Sequence, residues 1–178
     1  MQTSRREFMQ VVAAAAAAGA IPGAGLAAID PLVLSWPDLI PPTADNADTV
    51  VQALRGVVPH GGITQQAPSN QPIEDQLRQD LNGSVVKLPG YSLPLEMNDV
   101  GVTEFLLVPY VGACVHVPPP PANQMVWVKM SEPIIFKSLF EAIWVTGVFD
   151  ATPVQLGQLL EAGYTLSANE ISPYIFKE

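Results

Sequence analysis

The stretch "SVVKLPGYSLPLE", residues 84–96, is where the character of the chain changes. Its second half alternates: Tyr91, Leu93 and Leu95 fall on one face of an extended chain, with Ser92, Pro94 and Glu96 on the other. A period of two marks a β-strand, because successive Cβ atoms point to opposite faces. Pro94 donates no backbone hydrogen bond, so it predicts an edge or a bulge. Upstream, "EDQLRQDLNGS" (74–84) predicts a short helix stopped at Asn82-Gly83. Downstream, "TEFLLVPYVGACVHV" (103–117) is a continuous apolar run, as a strand buried on both faces reads. "QMVWVKM" (124–130) alternates again. Ala142–Phe149 reads as a further strand, and Tyr164–Ala168 and Glu170–Ile175 as two final pieces.

Roughly five or six short strands with little helix predict a mostly-β domain: a small closed antiparallel barrel over residues 80–178. The rhythm fits an OB-like five-stranded barrel best: a strand, a long bent strand, a third strand, an interruption and two final strands. A small sandwich is the alternative. Trp127 and Trp144 fall within strands and are expected in the core.

Residues 28–79 read differently. "AIDPLVLSWPDLIPPTADNAD" (28–48) is broken by Pro31, Pro37, Pro41 and Pro42, which forbid a regular helix. Trp36, with Leu32, Leu34, Leu39 and Ile40, makes it too apolar for a free linker. It predicts an extended arm that docks Trp36 onto the barrel. "ADTVVQALRG" (47–56) allows one short helical turn, and 56–73 is loop, punctuated by Gly61-Gly62, Pro59, Pro68 and Pro72.

The first 27 residues read as an address. Ser4-Arg5-Arg6-Glu7-Phe8-Met9 is similar to a twin-arginine export signal. A mildly apolar, alanine-rich run follows, and Gly25-Leu26-Ala27 offers a cleavage point. Pro22 and the Ala/Gly content make this run a weak membrane anchor. Cleavage would remove Arg5, Arg6 and Glu7 and leave a more acidic chain in the periplasm.

Bulk composition excludes several functions. Formal net charge is −9, with only 8 Lys and Arg. Nucleic acid and anionic lipid both call for a basic surface. The chain holds 18 prolines among 178 residues, about twice the usual share of roughly 5%. A single cysteine allows no intrachain disulfide. No Gly-rich phosphate loop, serine elbow or HExxH motif is present.

That cysteine, Cys114, lies in "LLVPYVGACVHVPPPPANQ" (106–124), two residues before His116. If 111–117 is extended, both side chains share a face. A thiolate and an imidazole suit zinc or copper, but a structural zinc takes four ligands. Glu96, Asp99, Glu104 and His60 are the candidates for the remainder. The alternatives are a packed thiol beside a structural histidine, and a catalytic thiol activated by His116. Pro118, Pro119, Pro120 and Pro121 predict a rigid polyproline segment. Asn123 and Gln124 are placed to bond the carbonyls those prolines leave free. This loop is also the candidate docking surface for a partner.

"LPGYSLPLE", "EFLLVPYVGACVHVPPPPANQ", "IWVTGVFD" and "GYTLSANEISPY" together resemble an uncharacterised family of secreted bacterial proteins, many of them lipoproteins. The resemblance covers about 80–176. Relatives are often encoded beside ABC transporter parts linked to zinc supply. It therefore implies a periplasmic accessory for divalent metal, with Cys114 and His116 as ligands and an envelope transporter component as partner. A metal-free interaction module is the second reading, and a thiol enzyme using Cys114 the third.

Overall fold

The computed structural model describes residues 30–44, 48, 51, 72–95, 100–111, 120–157 and 160–175. Eight strands are found among them: β1 (Leu32–Val33), β2 (Val85–Pro94), β3 (Val102–Val108), β4 (Val126–Ile134), β5 (Ala142–Asp150), β6 (Val154–Leu156), β7 (Leu160–Ala162) and β8 (Tyr164–Pro173). Five of them close a barrel in the order β2-β3-β4-β8-β5 and back to β2. Counting barrel strands along the chain, that order is 1-2-3-5-4-1, the OB-like arrangement. One pairing departs from the expected antiparallel pattern: β4 and β8 run parallel, Val126 opposite Tyr164 through Met130 opposite Ala168. Closure forces this, since β8 enters between β4 and β5 and can oppose only one of them.

Burial alternates along β2. Val86, Leu88, Gly90 and Ser92 face inward, and Tyr91 and Leu93 face outward. The interior is filled by these together with Phe105, Leu107, Val126, Val128, Val145, Phe149, Tyr164 and Leu166. Tyr91 and Leu93 are not wasted outside. They join Leu106, Val108, Tyr110, Met125 and Trp127 in a second apolar cluster on the outer face, beneath Leu156 and Leu160 of the β6–β7 hairpin. Trp127 and Trp144 are thus outward residues, not barrel core. Lys129 Nζ lies 3.8 Å from the Trp127 ring centroid, and Trp144 packs edge-on against Tyr174.

Three expected elements take a different form. The apolar run from residue 103 stays a strand only to Val108: Pro109 has no N–H for the ladder. The two C-terminal pieces are one strand, β8, whose register slips by one residue against Thr146 and Gly147. A Cβ on Gly147 would run into Ser167 O and Ala168 Cα, so the bulge needs glycine there. The helix expected over 74–84 is two 3-10 turns, Ile73–Gln76 and Gln79–Leu81, ended by Gly83 at φ 74°. No helix among the described residues is long and apolar enough to cross a membrane.

The arm docks as its composition predicts. β1 pairs parallel with the first half of β2, on the side that β3 leaves open because it pairs only from Tyr91 onward. The chain then turns through Trp36–Leu39, and Trp36 and Leu39 enter the main core. Ser35 N–H and Oγ–H both donate to Asp38 Oδ2, at 2.8 and 2.6 Å, and fix that turn. Gly90 is what lets the indole in. A Cβ there would stand 3.0 Å from Trp36 Cζ2 and 2.8 Å from Leu107 Cγ.

Candidate functional site

The 106–124 segment is tethered at both ends. On its N-terminal side, Leu106, Val108 and Tyr110 belong to the outer cluster. On its C-terminal side, Met125 and Trp127 belong to the same cluster. Cys114, His116, Pro118 and Pro119 lie outside the described residues, as do His60, Glu96 and Asp99. Val111, where the extended face was expected to begin, is in a turn. Glu104 is described, and it stands on the outside of β3 opposite Lys129. Four residues separate it from Val108, about 14 Å of strand. Among the described residues, no group of three or more His, Cys, Asp and Glu gathers to hold a metal.

The foot of the loop is built from inward-facing groups. Pro120 is buried and Pro121 half-buried. Asn123 and Gln124 are each 1% exposed. The proline carbonyl is taken up by backbone: Gln124 N–H donates to Pro121 O at 2.8 Å. The side-chain amides reach further than the sequence suggests. Asn123 Nδ2 donates to Gln76 O at 3.3 Å, and Gln124 Nε2 to Trp36 O at 3.2 Å and Asn123 O at 2.7 Å. Ala122 O accepts from both Met125 N and Gly163 N. The end of the polyproline loop, the arm and the 73–81 turns are therefore locked together by carboxamides. Gln124 Oε1 and Trp127 Nε1 are buried and have no hydrogen-bond partner among the described residues.

A second polar knot backs the first. Tyr164 is 0% exposed, and its hydroxyl donates to Leu39 O at 2.5 Å and accepts from Arg78 N at 2.9 Å. Burial pushes the phenol up to about 12. The Arg78 guanidinium forks onto Asp80 at 2.6 and 2.7 Å and donates to Asp38 O at 2.9 Å. Its hydrogen bonds hold the Asp80 carboxyl below the usual range, and Asp80 raises Arg78 in return. Ser35 likewise holds Asp38 down. These groups join arm to barrel; Tyr164 does so from the interior, and the Arg78–Asp80 pair from the surface, where the Asp80 side chain is 61% exposed.

Sequence reasoning missed the β6–β7 hairpin and the Tyr164 knot. The hairpin had a signal in the apolar ends of "VQLGQLLEA" (154–162) around Gly157, which takes φ 69°. Tyr164 had none, because its partners are backbone atoms of residues 39 and 78.

Residues 36–173 match the family described as "Protein of unknown function (DUF3299)". Among solved structures, the chain is similar to the crystal structure of a DUF3299 family protein from Pseudomonas aeruginosa PAO1. The two share 39% identity at a TM-score of 0.63, over 83% of this chain and 99% of that one. No curated protein matches.

Proposed function

Because the chain belongs to the DUF3299 family of proteins of unknown function, we propose, from its export signal and from what the family resemblance implies, that it is an exported periplasmic binding module rather than an enzyme. In this reading it handles a divalent metal, with Cys114 and His116 as zinc ligands. The observation that supports it is the double tether: Val108 and Tyr110 before the segment and Met125 after it share one apolar cluster. The carboxamides of Asn123 and Gln124 hold the C-terminal foot. A short segment fixed at both ends costs less ordering entropy when its donors close on an ion. A thiolate and an imidazole are a donor pair zinc accepts. Two donors are fewer than a structural site takes, which suits a metal passed to or from a partner, here an envelope transporter component. Bound zinc would supply charge and Lewis acidity; the chain's part is to hold it.

Elemental analysis of the chain purified without chelators, wild type beside Cys114→Ser/His116→Ala, tests this. Near-stoichiometric zinc lost in the variant is expected. Equal metal in both, or none in either, sinks the reading.

The metal-free reading, a docking module using the 118–121 loop, draws on the same rigid foot. Pro120, Asn123 and Gln124 point inward, so its contacts would fall on Pro118, Pro119 and Pro121. Partner capture unaffected by Pro119→Ala/Pro121→Ala would count against it. The thiol-enzyme reading requires Cys114 to alkylate rapidly below pH 8.

A further inference from the structure

The two ends of the barrel differ. One is plugged by Trp36, Leu39, Leu77 and Leu81. The other is formed where β2 and β4 end and β3 and β5 begin. Register places it: Val102 is opposite Ile134, Tyr91 opposite Ala142, and Ile143 opposite Pro173. The chain leaving β4 crosses this end as "IFKSLF" (135–140) and returns beside β2, where Phe140 N–H donates to Ser92 O at 2.9 Å. Tyr174 N–H donates to Ala142 O and brings the C-terminal residues to the same place.

Large aliphatic side chains collect there in the open. Ile135 is 83% exposed, Ile175 81%, Val100 71% and Leu139 61%. Phe140 beside them sits at φ 58°, a left-handed conformation rare for a bulky residue, and this turn leaves Leu139 facing water. Scattered single exposures are ordinary, but four large aliphatic side chains exposed at one end of a small domain mark an interaction surface.

Charge selects the occupant. The chain as a whole carries −9, yet the described charges at this end are mixed: Glu132 and Glu141 with Lys137. Glu141 is engaged, accepting Lys137 N–H at 2.8 Å. Among the described residues, the Lys137 ammonium and the Glu132 carboxylate enter no ion pair. A surface with an apolar centre and charges of both signs complements itself under a two-fold axis, where residue i of one copy meets j of the other and j meets i. An anionic bilayer would not use Glu132, and a strongly basic partner would not use Lys137.

We propose that this end of the barrel is a homodimer interface. Ile135, Leu139, Val100 and Ile175 form its apolar centre, and Lys137 of each copy faces Glu132 of the other. None of its residues belongs to the 106–124 segment, so the proposal stands or falls apart from the metal reading.

Sedimentation equilibrium over a concentration series from micromolar to hundreds of micromolar tests it. The wild type should approach twice the monomer mass. Ile135→Asp/Leu139→Asp should stay monomeric while keeping the wild-type circular dichroism and melting temperature, because both side chains are exposed. Lys137→Glu should weaken association at least tenfold, and adding Glu132→Lys in the same chain should restore it. A wild type monomeric throughout overturns the proposal. So does a dimer that survives the double aspartate change, or a charge reversal that rescues nothing. Flotation of the chain with phosphatidylethanolamine–phosphatidylglycerol vesicles, lost in the double aspartate variant, would assign the surface to lipid and also overturn it.

Discussion

Replacing Trp36 by alanine asks whether the arm is part of the fold or laid upon it. The indole is 7% exposed, and its Nε1 donates to Pro89 O at 2.7 Å. It packs against Gly90, and the backbone carbonyl of the same residue accepts from Gln124 Nε2 at 3.2 Å. Truncating a buried tryptophan costs about 3–5 kcal/mol in lost transfer energy and cavity. Losing the indole donor adds roughly 1 kcal/mol, since Pro89 O keeps its desolvation without that bond. Set against a total stability of about 5–15 kcal/mol, this is a large share of the whole. At about 2–4 °C per kcal/mol for a domain of this size, the melting temperature should fall by roughly 10–15 °C. Trp36→Phe keeps part of the bulk but loses the donor and the fused ring, so it should cost less than the alanine change, about 2–4 kcal/mol. Urea unfolding followed by far-ultraviolet circular dichroism gives both numbers. A Trp36→Ala loss under about 1 kcal/mol at unchanged m-value would refute the reasoning, because the arm would then be peripheral to the cooperative core.

Gly90→Ala should cost about 1–3 kcal/mol, because the new Cβ meets Leu107 and Trp36 at 2.8 and 3.0 Å; paired with Trp36→Ala the two costs should fall short of additive, and full additivity would contradict the contact. Tyr164→Phe strips one partner from both Leu39 O and Arg78 N–H in a buried place and should cost about 1–3 kcal/mol by chemical denaturation. The phenol also carries a pH signature: its folded value is raised to about 12 from an ordinary value of about 10. The neutral form is the one the fold favours. Its contribution is therefore complete below pH ~10 and lost as pH rises towards ~12, roughly 2–3 kcal/mol that Tyr164→Phe should not show. Ser35→Ala removes the main cause holding Asp38 down, so NMR titration of that carboxyl should move up towards the ordinary value; an unmoved titration would deny the Ser35–Asp38 bond.

Strand positions were largely legible because the signal is local. Alternation around Tyr91, the apolar run at 103–108 and the run at 142–149 each report a period that the backbone imposes on its own side chains. Which face of β2 turned inward was not legible. Tyr91 and Leu93 are apolar, yet they face out, because the hairpin of residues 154–162 covers them and the narrow barrel interior takes Gly90 and Ser92 instead. Nor did alternation distinguish the two sides of Trp127 and Trp144. Both faces of those strands are partly covered, so hydrophobicity alone does not say which is the core.

In the 106–124 segment the sequence supplied residue types, and packing supplied their use. Its prolines forbid regular ladder bonding wherever they fall, and that follows from covalent structure. That Asn123 and Gln124 would clasp residues 76 and 36 follows from nothing near them in the chain. Carboxamides bond whatever carbonyl the fold brings within reach, and the fold brought distant ones.

The sequence by itself determined the elements: the β-rich body, the proline-broken arm with an indole to bury, the stop at Asn82-Gly83, and an acidic net charge. Each rests on a property of one residue or of near neighbours. The tertiary structure alone decided the parallel β4–β8 seam, the hairpin over the outer face, the Tyr164 knot and the open apolar end. These depend on pairings between residues far apart in the chain, and closing a ring of five strands fixes them all at once.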